Sequence, residues 1–121
     1  MTTGRDEVRA FCASLSGAAE GFPFGDDVAV FKVAGKMFAL VQLTGAPGQV
    51  TLKCDPDWAV QLRAQHPAVQ PGYHTNKRHW NTVVLDGSVP PAEIEEMVLH
   101  SYELVVDGLP RKERDRITGA G

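Results

Sequence analysis

Three runs of strand-like residues follow one another at the centre of the chain with almost nothing between them. Val28–Val33 and Lys36–Leu43 are rich in branched and aromatic residues, and only Ala34-Gly35 separates them. Glycine takes the positive φ that a tight reversal needs, so the pair reads as a hairpin. Residues 44–48 make a second turn, and Gln49–Cys54 then alternates, with Val50, Leu52 and Cys54 inward and Gln49, Thr51 and Lys53 outward. Parallel strands need a crossover of about a dozen residues or more, so runs joined this closely must form an antiparallel meander.

Helical patterns flank the meander. Thr3-Gly4-Arg5-Asp6 has capping-box spacing, and Val8, Phe11, Cys12 and Leu15 follow at helical intervals, predicting a helix over residues 4–15. Residues 17–27 read as a loop whose Phe22-Pro23-Phe24 folds back over the core. Asp55-Pro56 is a helix start: the carboxylate caps orphan amides, and proline at the first position loses no hydrogen bond. That helix carries Trp58, Ala59 and Leu62 on one side and ends near His66-Pro67. After a loop over 67–72, a strand is expected over 78–85, closed by Asp86-Gly87. Pro90-Pro91 opens the longest helix, with Ile94, Met97, Val98, Ser101, Leu104 and Val105 as its apolar stripe, and Gly108 with Pro110 ends it.

The order is α-β-β-β-α-β-α, with room for a short extra strand near Tyr73. The fold class is α+β: a twisted antiparallel sheet covered on one face by three helices. Residues 1–110 form the single domain. Residues 111–121, with four basic and two acidic residues and no apolar period, are expected to be a flexible tail.

Function is harder to read. The 121 residues carry a net charge of −3 and a pI near 5.7, so no global field draws the chain to nucleic acid, and anion binding must rest on a local patch. Such a patch exists in Gly72–Asn81. It holds half of the four histidines, one of two tryptophans, one of two tyrosines and the Lys77-Arg78 pair. Rings stack while Lys and Arg donate charged hydrogen bonds, a combination suited to planar or anionic ligands. If 78–85 is a strand, Arg78 and Trp80 share one face while His79 and Asn81 share the other, so only part of the block can reach solvent. Some of its residues must then be architecture, with Asn76 shaping a turn.

The remaining chemistry is sparse. His74 and His79 are joined by no H-x-x-x-H or C-x-x-C spacing, so no metal and no cofactor is assigned. Cys12 and Cys54 are too few for a disulfide scaffold and lie at core positions, which predicts inert thiols. No stretch approaches the ~18 apolar residues of a membrane span, and the N-terminal residues lack an apolar signal region. A cytoplasmic monomer with no membrane partner is the expectation.

The chain also resembles the MmcQ/YjbR family of small bacterial proteins. The resemblance rests on Phe22-Pro23-Phe24-Gly25, Val30-Phe31-Lys32-Val33, Gly35-Lys36-Met37-Phe38-Ala39 and Leu52-Lys53-Cys54-Asp55-Pro56. It continues through Pro71-Gly72-Tyr73-His74, Asn76 to Val83, Leu85-Asp86-Gly87, Ser101 to Val106 and Gly108-Leu109-Pro110. It implies a fold like the frataxin homologue CyaY and a DNA-binding role through a double-wing arrangement, and it brings no catalytic residues. The acidic ridge with which frataxins hold iron is absent: Asp6, Glu7, Glu20, Asp26 and Asp27 are interrupted by Arg5, Arg9 and Lys32. Iron binding therefore does not follow from the fold.

The first expectation is a non-enzymatic module that binds DNA or a small anionic ligand on a basic-aromatic sheet surface. Its contact residues would be Lys36, Lys53, Tyr73, His74, Lys77, Arg78, His79, Trp80 and Asn81. The alternatives are a small-molecule binder or enzyme with a pocket near His74, His79 and Cys54, and a protein-interaction module docking on the sheet.

Overall fold

A computed structural model describes residues 4–72 and 75–119. The chain runs α1 (Arg5–Ser14), β1 (Ala18–Gly21), β2 (Val28–Val33), β3 (Lys36–Gln42), β4 (Gly48–Lys53), α2 (Pro56–Gln65), β5 (Val69–Pro71), β6 (Trp80–Leu85), α3 (Pro91–Asp107) and α4 (Arg111–Thr118). All strands join one antiparallel sheet in the order β1-β2-β3-β4-β6-β5. This is the α+β architecture expected, with the short extra strand that the sequence left room for and one further strand and one further helix.

The meander forms as anticipated. Ala34 and Gly35 both have positive φ, 50° and 78°, which gives the two-residue reversal whose twist matches the strands it joins. A bulge between Phe31 and Lys32 turns Phe38 toward the helices, where it meets Tyr102 edge-on at 5.4 Å between ring centroids. Asp55 caps α2 by accepting from the amides of Asp57 and Trp58 at 3.1 and 3.2 Å. The cap of α1 is Gly4 rather than Thr3, with the Glu7 carboxylate accepting the Gly4 N–H at 3.1 Å. Arg5 reaches from α1 to the carbonyls of Leu43 and Gly45 and so fixes the helix against the β3–β4 turn.

The core lies between the sheet and its helices. Ala29, Phe31, Phe38, Val41, Val50, Leu52 and Val83 meet Val8 and Cys12 of α1, Ala59 and Leu62 of α2, and Ile94, Met97, Val98 and Val105 of α3. Ser101 on α3 accepts the Lys53 N–H at 2.9 Å and donates to the Phe38 carbonyl at 2.5 Å, bridging two strands from inside the core.

Other sequence expectations also need correction. Residues 18–21, read as loop, pair with β2 as an edge strand. Residues 69–71, inside the segment read as loop, form the short strand allowed near Tyr73 and pair with β6. Phe22 and Phe24 do not cover the core: Phe24 is 65% exposed and Phe22 43%. The tail, expected to fray, contains α4; its Ile117 packs beside Val33, and its main chain accepts the Ser16 hydroxyl at 2.9 Å.

Candidate functional site: the helix-free face of the sheet

With the helices gathered on one side, strand alternation sends the other set of side chains to a face that no described helix covers. Register places these side chains in rows. Val28, Gln42, Gln49 and Val84 form one row, and Val30, Leu40, Thr51 and Thr82 the next. Lys32 then stands opposite Met37, and Lys53 opposite Trp80. Directly opposed side chains have Cβ atoms about 5 Å apart, so Lys53 and Trp80 are neighbours. Lys32 and Lys53 stand two strands apart, roughly 10 Å. Neither lysine has an acidic partner among the described residues.

Two loops overhang this face. The β1–β2 loop contributes Phe24 and the β5–β6 loop contributes Thr75. Between them lies a groove of about 410 Å³ lined by Phe24, Val28, Met37, Leu40, Gln42, Gln49, Thr51 and Thr75. Its floor is tied by a 2.9 Å hydrogen bond between the hydroxyls of Thr51 and Thr82.

The β5–β6 loop is held from beneath. The Arg63 Nε donates to Asn81 Oδ1 at 2.7 Å, and its Nη2 donates to the carbonyls of Lys77 and Trp80. Asn76 Oδ1 accepts the Arg78 amide at 2.9 Å, closing the turn before β6. The Cys54 amide donates to the His79 carbonyl at 2.8 Å and the Gly72 amide to the Trp80 carbonyl at 2.9 Å. Gly72 lies so close to Trp80 that a Cβ there would overlap Thr75 Oγ1 and come within 2.7 Å of Trp80 Cβ.

The expected contact residues therefore divide. Lys53 and Trp80 belong to the helix-free face, and Lys77 and Arg78 are exposed on the adjoining turn. The strand begins at Trp80 rather than at 78, so Arg78 and His79 lie in the turn and His79 is half-buried. Asn81 is 2% exposed on the helix side, bonded to Arg63, which makes it architecture. Lys36 pairs with Val33, a helix-side position one pair beyond Lys32–Met37, and is exposed at the hairpin end on the opposite face from the lysine row. Tyr73 and His74 lie outside the described residues. Lys32, Met37, Leu40 and Arg63 were not singled out as site residues. The first three announce themselves once β2 and β3 are set in register, whereas nothing local marks Arg63.

Both thiols are buried. Desolvation raises the Cys12 pKa from 9.0 to about 12. It raises that of Cys54 to about 11, with Asp55 adding to the rise and Arg63 opposing it. The void beside Cys54 and Asn81 measures about 10 Å³, room for a single water rather than a ligand. Because the folded state binds these protons more tightly than the unfolded one, their stabilising effect is full below the unfolded pKa near 9. It is lost as pH rises toward 11–12. Chemical denaturation at pH 7.5 and pH 10 should give lower stability at pH 10, and replacing both cysteines by alanine should shrink the difference.

Among the described residues no group of three or more His, Cys, Asp or Glu side chains is placed to hold a metal ion. No described helix is long and apolar enough to cross a membrane.

Comparison with known proteins agrees with this architecture. The chain is 37% identical to YjbR of Escherichia coli strain K12 over 108 residues, covering 89% of this chain and 92% of the relative. It is 37% identical to YbdF of Escherichia coli O157:H7 over 97 residues, 79% of each chain. The crystal structure of Deinococcus radiodurans protein DR2400, a DUF419 domain, superposes with a TM-score of 0.90 at 40% identity, over 97% of this chain and 89% of that one. A Pseudomonas syringae protein superposes with a TM-score of 0.72 at 26% identity, over 84% of this chain and 98% of that one. The YjbR family model matches residues 13–104. The chain belongs to the YjbR family.

Proposed function

We propose that this protein is a binding module that takes anionic ligands, single-stranded nucleic acid among them, on the helix-free face of its sheet. The observation that carries the reading is the Lys53–Trp80 pair, with Lys32 in the same band and no acid neutralising either lysine among the described residues. Lys77 and Arg78 extend the cationic edge onto the turn. A half-buried indole offers an edge or face to a base without regard to sequence, while lysines meet phosphates as mobile point charges. The two buried, proton-retaining thiols favour binding over nucleophilic catalysis. Kinship with the CyaY fold belongs to the same proposal. Its support is a leading helix and a long later helix packed on one side of an antiparallel sheet.

Salt-titrated binding of an oligothymidylate and of a duplex of equal length tests the reading. Four phosphate contacts on a single strand give a log–log salt slope of roughly −3. Lys53→Gln should weaken binding and flatten that slope by about 0.7. Trp80→Ala should weaken single-strand binding about tenfold or more while leaving the slope unchanged. Absence of binding at low salt, or indifference to both substitutions, would remove the nucleic-acid form of the proposal.

A further inference from the structure

We propose that the groove of the helix-free face is a pocket for a small amphipathic anion: a carboxylate or phosphate ester carrying one apolar body of medium-chain length. This rests on reading Lys32 and Lys53 as anion-binding and adds what the rest of the ligand must be. The exposed surface of the groove is mostly apolar, with Phe24, Val28, Met37 and Leu40 as its walls and Gln42, Gln49, Thr51 and Thr75 as its polar positions. Its volume of about 410 Å³ falls in the lower part of the range for small-molecule sites, roughly 300–1,000 Å³.

Charge orients the occupant. Met37 lines the groove and faces Lys32 across the β2–β3 ladder, and Thr51 lines it two residues before Lys53 on the same face. One end of the groove is therefore cationic. The other end, at Val28, follows directly on Asp26 and Asp27, both exposed. An anionic head is drawn to the lysine end and repelled from the aspartate end, so a ligand has one favoured direction. From Val28 to Lys32 the strand rises roughly 13 Å, which sets the distance between the two ends. A bare phosphate would satisfy the lysines and leave the apolar walls empty. A neutral hydrocarbon would do the reverse. A medium-chain acid satisfies both.

The test uses the full chain with methyl groups labelled at Met37 and Leu40, titrated with octanoate, 1-octanol and inorganic phosphate. Octanoate should shift both methyls saturably and bind about tenfold more tightly than octanol, the gain expected from charge-assisted contacts at the lysine end. The Lys32→Gln/Lys53→Gln variant should remove that advantage and leave octanol binding unchanged. Met37→Gln should weaken octanoate while leaving oligothymidylate binding intact. If octanoate moves neither methyl while phosphate or oligothymidylate still perturbs Lys32 and Lys53, the groove is not a pocket and only the anion-binding row survives. If octanoate and octanol bind equally and the lysine substitutions change nothing, the amphipathic-anion reading fails together with the anionic role of the row. A concentration-dependent dimer that protects the Met37 methyl would assign the face to a second copy instead and overturn the pocket.

Discussion

Replacing Arg63 by methionine should destabilise the fold by about 2–3 kcal/mol and loosen the turn that presents Trp80. Methionine keeps the apolar stem of the side chain and removes its donors. Asn81 is buried, and its Oδ1 accepts from Arg63 Nε at 2.7 Å, while its Nδ2 has no partner among the described residues. Loss of the guanidinium would leave both polar atoms of a buried amide unpaired. The Lys77 carbonyl would lose its bond to Nη2 as well. Arg63→Lys should recover little, because one ammonium cannot span the fork that reaches Asn81, Lys77 and Trp80. Urea unfolding measures the stability change. Amide exchange at Gly72 and Cys54, whose N–H groups donate to Trp80 and His79, reports the turn. A stability change below about 0.5 kcal/mol with unaltered exchange would show that Arg63 does not hold the loop.

Gly72→Ala should cost about 1–3 kcal/mol through overpacking. A Cβ at residue 72 would overlap Thr75 Oγ1 and crowd Trp80 Cβ at 2.7 Å and the Trp80 carbonyl at 3.0 Å. The threonine hydroxyl can rotate aside, but the Trp80 main chain belongs to a strand paired on both sides. The expected result is a lower denaturation midpoint together with weaker single-strand binding, because Thr75 and Trp80 are displaced from the face they border. A variant as stable as the parent, with unchanged binding, would mean that the loop lies further from β6 than the structure places it.

These two residues mark where sequence reasoning runs out. The alternation through Trp80–Leu85 is legible, and it divides Trp80 and Thr82 from Asn81 and Val83 as the structure does. The start of that strand is displaced by two residues because Asn76 closes a turn over 77–79, and a turn residue carries no measure of how far its turn extends. β1 is Ala-Ala-Glu-Gly, with no branched or aromatic residue, and it exists because β2 offers an edge to pair with. α4 has no buried residue and no apolar stripe; Ile117 and the flanking charge pairs hold it, and a single apolar residue is too little to announce a helix. Arg63 bonds a residue 18 positions away, and nothing local in α2 distinguishes it from a solvated arginine.

The candidate site was half legible for the same reason. Lys53, Trp80, Lys77 and Arg78 could be named from local composition, and alternation put Lys53 outward. The groove could not, because Phe24 reads as a core residue and nothing local in Val28, Met37 or Leu40 says which face of the sheet they take. Where the bulge at Phe31/Lys32 falls decides which residues of β3 face the helices, and no residue type there signals it.

Amide and indole chemical-shift mapping is the sharpest check on the assignment of the ligand surface to the helix-free face. Oligothymidylate is titrated into the labelled full chain at low ionic strength. The expected result is a contiguous set of perturbations at Lys32, Lys53, Lys77, Arg78 and the Trp80 indole, fading as salt is raised. Perturbations gathered instead on α2 and α3, or none at the lowest salt, would contradict it.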